Sequence, residues 1–291
     1  MRKFIYLYIS IFIYISGSLS GQVINNPEIE EKTGIKRNVL YNLEEIKVRW
    51  KKAALENCPG VPCIVTPPAP SFTCGTSTVS DIDGNAYATV LIGTQCWTVT
   101  NLKVTKYDDG TAIPDQTSIS PSSNWGTLQT GARTDYTGAT GIPLGQTYVS
   151  TYGYLYNWYA AKGIATAGSP TYKNICPIGW HVPTDTEWFT LTNYLGTTPP
   201  GNAMKSTGTT YWSSQSTGTN NSSGFSALPG GRRVNDGSFS NIRTNAFFWS
   251  DAEDSSSSNN GYSRRLATNN GDVTRLSSNK STGASVRCLR D

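Results

Sequence analysis

Histidine is almost absent from this chain: His181 is the only one in 291 residues. Structural zinc sites and metal oxidases draw on several imidazoles or on paired thiolates. One histidine cannot supply the first, and no Cys-x-x-Cys pair supplies the second. Charge is sparse as well, with Asp, Glu, Lys and Arg together at 15% and a formal net charge of +4. Two of the positive charges, Arg2 and Lys3, belong to an expected leader, so the balance is too weak to imply nucleic acid or an anionic membrane as partner. Long apolar runs are missing too. The stretch Phe4 to Ile15 falls short of the ~20 residues a membrane span needs. No phosphate cradle is evident, because Pro229-Gly230-Gly231-Arg232-Arg233 lacks the Walker lysine and its strand–loop–helix setting.

What the chain does have is glycine, aromatics and small polar residues: 28 Gly, 16 Tyr and 8 Trp, with Ser, Thr and Asn filling much of the rest. That aromatic content argues against disorder and suits a loop-rich exported domain with aromatic core anchors. Arg2-Lys3, the apolar run and the small residues Ser16 to Ser20 read as a signal peptide over 1–20, cut after Ser20 or Gly21. No cysteine lies near the cut to carry a lipid anchor. Six cysteines in an exported chain suggest disulfides. Cys58 and Cys63 flank a Pro-Gly turn and Cys74 and Cys96 flank the first hairpin, which leaves Cys176 with Cys288 to close a whole domain.

Val39, Leu43, Ile46, Trp50 and Ala54 recur at helical spacing, so 26–57 reads as a helix, either packed on its own domain or serving as a stalk that docks to an envelope partner. Residues 58–78 hold five prolines and a cysteine pair and read as an extended linker. The domain begins at 79. Tyr87, Thr89 and Leu91 alternate, as do Trp97 and Val99, which predicts strands about a Gly-Thr turn. Asp81-x-Asp83-Gly84-Asn85 lacks the later ligands of a calcium loop and reads as a turn. Residues 115–150 read as a polar loop and Tyr154 to Lys162 as the first helix of the domain. Gly179 to Val182 predicts a short strand. Thr184 and Glu187 then form a capping box, Trp188, Leu191 and Leu195 share one helical face, and Gly196 supplies the stop. Further strands are expected at Gly224 to Leu228, Ala246 to Ser250, Tyr262 to Leu266 and Val286 to Leu289, with Ser255 to Asn260 as a surface loop.

Cys176-Pro177-Ile178-Gly179-Trp180-His181-Val182-Pro183-Thr184, followed by Glu187-Trp188, and the ending Ser285-Val286-Arg287-Cys288 resemble the Fibrobacter succinogenes major paralogous domain. Asp81 to Tyr87 with Ile92 to Trp97, Asn101 to Tyr107, and Tyr152 to Ala161 fit the same family, so the resemblance covers about 79 to 291. It implies an α+β, C-type-lectin-like fold with two helices and short antiparallel strands, related to formylglycine-generating-enzyme domains. It implies no activity.

His181 has no acid, base or nucleophile implied by spacing, so a structural role is expected for it and a cap for Glu187. With each cysteine paired, no reactive thiol remains for formylglycine-type oxidation. The reading is therefore a non-enzymatic module without metal or cofactor. The expected recognition face is the polar C-terminal third: Asn235, Asp236, Ser238, Ser240, Asn241, Arg243 and Asn245, then Ser257, Asn259, Tyr262, Arg264, Thr268, Asn269, Asn270 and Asp272. Ser, Asn and Tyr give adaptable contacts on a rigid scaffold, and Arg243, Tyr262 and Arg264 are the expected hot spots for a protein or glycan ligand. The same polar loops resemble the variable segment of diversity-generating-retroelement targets. A structural cell-envelope component and an enzyme of the formylglycine-generating type are the rival readings.

Overall fold

The first hairpin and the last strand meet in one sheet. In a computed structural model of the protein, residues 72–291 are described, apart from 121, 169, 170 and 198. The expected leader, the 26–57 helix, the Cys58–Cys63 pair and most of the linker lie outside the described residues. Strands β1 (Thr78–Ser80), β2 (Ala86–Ile92) and β3 (Gln95–Thr98) form an antiparallel meander. Strand β4 (Arg133–Thr134) pairs with β5 (Leu155–Tyr156), on either side of helix α1 (Tyr148–Tyr152). Helix α2 (Trp158–Lys162) follows, then β6 (Trp180–His181), α3 (Asp185–Leu195) and α4 (Pro200–Met204). The hairpin β7 (Arg232–Arg233) and β8 (Phe239–Ser240) leads into a long meander of β9 (Asn245–Glu253), β10 (Asn260–Ala267) and β11 (Asn270–Asn279). Strand β12 (Leu289–Arg290) closes the domain between β3 and β6, giving a five-stranded sheet in the order β1-β2-β3-β12-β6.

Two disulfides fix this closure. Cys176–Cys288 joins the segment before β6 to the segment before β12, and Cys74–Cys96 ties the chain ahead of β1 to β3. Both were expected from cysteine position.

The β9-β10-β11 meander lies between two cores. Phe247 and Trp249 pack into a cluster with Tyr87, Tyr156, Trp158, Trp180 and Val286. Ala246, Phe248 and Leu266 turn the other way, to Trp97, Trp188, Leu191, Trp212 and Phe225. This is period-two alternation with both faces covered. Every tryptophan among the described residues is buried. Gly261 in β10 lies so close to Trp158 that a Cβ there would sit 2.4 Å from the indole.

Two arginines without carboxylate partners among the described residues lock the cores. Arg287, 1% exposed, donates from Nε to Asn101 Oδ1 at 2.6 Å and from Nη1 to the carbonyls of Thr98 and Phe225 at 2.8 Å each. Its guanidinium lies 4.6 Å from the Phe225 ring centroid. Burial pulls it down to about 9, so it is still charged at neutral pH. Arg233 does the same work nearer β7, bonding Gly237 O, Gln116 O and Thr134 Oγ1 while covering Trp125 and Phe239.

Several expectations shift. The helix expected over Tyr154 to Lys162 is confined to α2, because Leu155 and Tyr156 pair with β4 and Asn157 starts the helix by accepting from Ala160 N. The loop expected over 115–150 ends in a helical turn, α1, capped by Thr147. Gly224 to Leu228 is not a strand; Ala227 makes only an isolated bridge to Lys205. Leu91 is 56% exposed while Ile92 is buried, because β2 passes from the first core at Tyr87 to the second at Ile92 and its alternation slips between them. Helix α3 is as expected, with Thr184 and Glu187 bonded reciprocally. The Asp81 turn is held by the protein itself: Oδ1 accepts from Asp83 N and Asn85 N, and Oδ2 from Asn85 Nδ2 and Tyr87 Oη. No helix of the described residues is long and apolar enough to cross a membrane.

Candidate binding site

The polar residues expected to form one face are split between the β7–β8 hairpin and the β9-β10-β11 sheet, where they gather at its two ends. Strand β9 runs from Asn245 to Glu253, so its ends stand roughly 26 Å apart at a rise of ~3.3 Å per residue. The β9–β10 turn, with Ser257 and Asn259, is at one end. The β10–β11 turn, with Thr268, Asn269, Asn270 and Asp272, is at the other, beside Asn245.

The first end is organised by Asp254, while the side chains of Ser257 and Asn259 bond no protein group among the described residues. Asp254 is buried and accepts from Ser256 N, Ser256 Oγ, Tyr262 Oη and Ser277 Oγ. Those bonds, from Ser277 first, hold its carboxyl well below the usual range. They also fold the serine-rich loop back onto the sheet. Ser257 N bonds Asp254 O, and Asn259 O accepts from Lys280 N. Tyr262 is thus held at both surfaces: its hydroxyl is on Asp254 at 2.8 Å, and Arg275 Cζ lies 3.4 Å from its ring centroid. Asn235, Asp236 and Ser238 form the exposed β7–β8 turn, where Asp236 Oδ1 accepts from Ser238 N and Oγ.

The other two expected hot spots, Arg264 and Arg243, are likewise bonded within the protein. Arg264 is 4% exposed and its Nη2 bonds Asp185 Oδ1 at 2.7 Å, tying β10 to the start of α3. Arg275 joins the same carboxylate at 2.9 Å, and although burial opposes ionisation, the two arginines hold Asp185 low. Arg243, at φ 64, donates to the carbonyls of Gly141, Thr210 and Thr209, so it pins two loops together. Asn241, at φ 67, turns the chain into this arrangement, with its Oδ1 accepting from Ser240 Oγ.

The second end is different. Asn245, Arg265, Ala267, Asn269 and Asn270 line an open depression of about 500 Å³. Arg265 was not among the expected residues. Period two would have found it: Arg264 shares a face with the buried Leu266, so its neighbour in β10 must face the other way. The floor is fixed from beneath by Lys205, which is fully buried and donates to Ser216 Oγ, Ala267 O and Asn270 O. Burial pulls this amine down to about 8. Three acceptors match its three N–H donors, so the turn carbonyls are held rigidly.

A second cluster surrounds His181. Its Nδ1 lies 2.6 Å from Asp291 Oδ1 and its Nε2 lies 3.0 Å from Glu187 Oε1. Spacing alone implied no such partners, and Glu187 was expected only as a cap. It does both: Oε2 also accepts from Thr184 N at 2.8 Å. Burial works against the charged ring, but Asp291 and Glu187 outweigh it and raise its pKa. With both nitrogens on carboxylates, the imidazole is a clasp between β6, α3 and Asp291. The hydroxyl of Thr184 bonds Glu187, not the ring, so no nucleophile–base pair is formed there.

Residues 90–290 match the family described as Fibrobacter succinogenes major domain. That description names no activity, ligand or partner. No curated protein and no solved structure matches the chain.

Proposed function

The chain belongs to the Fibrobacter succinogenes major domain family, and we propose that it is an exported, non-enzymatic binding module acting at the cell surface, in the periplasm or outside the cell. Its scaffold is C-type-lectin-like in this reading. The single observation that carries the proposal is the contrast between the two ends of the β9-β10-β11 sheet. At one end Asp254 draws Ser256, Tyr262 and Ser277 together, with loop side chains such as those of Ser257 and Asn259 left unbonded among the described residues. At the other, the side chains of Asn245 and Asn269 bond no protein group among the described residues and line an open depression with Arg265. Rigid support beneath adaptable polar groups is the architecture of recognition. Two disulfides are in keeping with an oxidising compartment. The recognition face is accordingly narrower than the sequence suggested, and Arg264 and Arg243 support it rather than touch a ligand. The test is an array of glycans and proteins probed with the full chain. A ligand whose binding falls in Asn269→Ala and Asn245→Ala, with melting unchanged, supports the reading; a turnover lost in His181→Gln with the fold intact would replace it with an enzyme.

A further inference from the structure

Arg264 and Arg265 are adjacent in β10 and serve opposite sides of the sheet. Arg264 goes inward to Asp185. Arg265 stands opposite Phe247 across the β9–β10 ladder. Arg232 packs on that same ring, its Cζ 5.0 Å from the centroid. Arg265 and Arg232 thus both neighbour Phe247, one by ladder register and one by ring contact, and among the described residues no carboxylate lies within 4.0 Å of the nitrogens of either. The Lys205 ammonium lies directly under the turn, 2.9 Å from Ala267 O and from Asn270 O. The acid nearest in sequence is Asp272, exposed beyond the turn, and it makes no ion pair with them. Positive charge thus gathers at one end of a sheet in a chain with little charge overall.

Arg265 is also poorly satisfied. Its Nη2 reaches Thr274 Oγ1 only at 3.5 Å, and its shielded Nε meets no acceptor. A guanidinium has five N–H donors in a planar fork, matched to a carboxylate; the shielded Nε is out of a ligand's reach, so a carboxylate would have to meet the terminal nitrogens. Beside it stand three carboxamides. Among the described residues, those of Asn245 and Asn269 bond no protein group, and Asn270 uses only its Oδ1, to accept from Asp272 N. Each amide both donates and accepts, as sugar hydroxyls do. No aromatic ring lines the depression, so a neutral sugar would lack a stacking platform there. The depression is open to solvent and lined mainly by polar atoms, with a volume of about 500 Å³.

We infer that this depression is a carboxylate-binding subsite for a uronic acid residue of an acidic glycan: Arg265 holds the carboxylate, and Asn245, Asn269 and Asn270 bond the ring hydroxyls. The inference rests on the reading of the chain as a binding module and adds the ligand class. The test is amide chemical-shift titration of the isotope-labelled full chain with galacturonate, with its methyl ester and galactose as uncharged matches. Galacturonate should shift Asn245, Asn269 and Asn270 saturably, with a dissociation constant of about 1 mM. The ester, galactose, and galacturonate on Arg265→Gln should each bind at least about tenfold more weakly. Equal shifts from galactose, or no saturable shift at these amides, would overturn the subsite. The comparison of acid with ester uses the unaltered chain, so it decides even if Arg265→Gln fails to fold. An array ligand bound equally by Arg265→Gln would sink the subsite and leave the binding module standing; galacturonate shifts without any array ligand would keep the subsite and sink recognition of a larger glycan or protein.

Discussion

Replacing Arg287 with Met removes the guanidinium from the junction of β3, β12 and the segment ahead of them. The thioether fills part of the volume but donates no hydrogen bond. Asn101 Oδ1 and the carbonyls of Thr98, Phe225 and Ser226 lose their donor. A buried polar group left without a partner costs about 1 to 3 kcal/mol. Asn101 keeps its Nδ2 bonds to Tyr152 O and Ser285 Oγ, and the 3.3 Å contact to Ser226 is weak. Counting the Thr98 and Phe225 carbonyls fully and allowing for relaxation, the loss should be about 3 to 5 kcal/mol. Urea unfolding followed by tryptophan fluorescence measures it, with Arg275→Gln as the exposed control expected to cost at most about 1 kcal/mol. Arg287→Lys should fall between, since one ammonium cannot span all four oxygens. An Arg287→Met midpoint equal to that of the control would refute the claim that this residue holds the terminal motif together.

Three further outcomes follow from the same geometry. The His181 clasp should stabilise the fold fully below the imidazole's ordinary value near 6.5, because the raised pKa means that the folded state holds the proton more tightly; that contribution is lost as pH rises through the raised pKa, and melting of His181→Gln against the parent from pH 5 to 9 should show the gap closing, whereas a gap that widens would reverse the sign. Reducing Cys176–Cys288, which spans 112 residues, should cost about 5 kcal/mol on the chain-entropy account, against about 3 kcal/mol for Cys74–Cys96, which spans 22; denaturation of the single-bridge variants gives both values, and a larger loss at Cys74–Cys96 would point to native-state strain or contacts instead. Lys205→Met should speed hydrogen exchange of the amides around the β10–β11 turn, because Ala267 O and Asn270 O lose their common donor; unchanged exchange would mean that the turn does not depend on it.

Much of the scaffold was legible because local rules and long-range closure agreed. The Thr184–Glu187 box needs only four residues to be seen, and α3 begins where it says. Two bridges followed from where the cysteines stand. The misses have physical causes. Leu155 and Tyr156 are good helix residues, but pairing with Arg133 and Thr134 claims their backbone, a contact over twenty residues away that periodicity cannot reveal. The site was half legible. Polar turns were found, but Asn, Ser, Arg and Tyr look alike whether they bind a ligand or one another. Arg243, Tyr262 and Arg264 illustrate this, since their partners Gly141, Asp254 and Asp185 come from other parts of the fold. Arg265 was overlooked although its place in β10 next to the core leucine Leu266, and so on the opposite face, marked it. The partners of His181 depend on Asp291 arriving from the far end of the chain.

The most direct measurement of the central claim is the array probed in parallel with the parent chain, Arg265→Gln and Asn259→Ala. The account predicts a ligand retained by Asn259→Ala, at the Asp254 end of the sheet, and lost by at least about tenfold in Arg265→Gln. Binding that survives Arg265→Gln and disappears in Asn259→Ala would place recognition at the opposite end and contradict it.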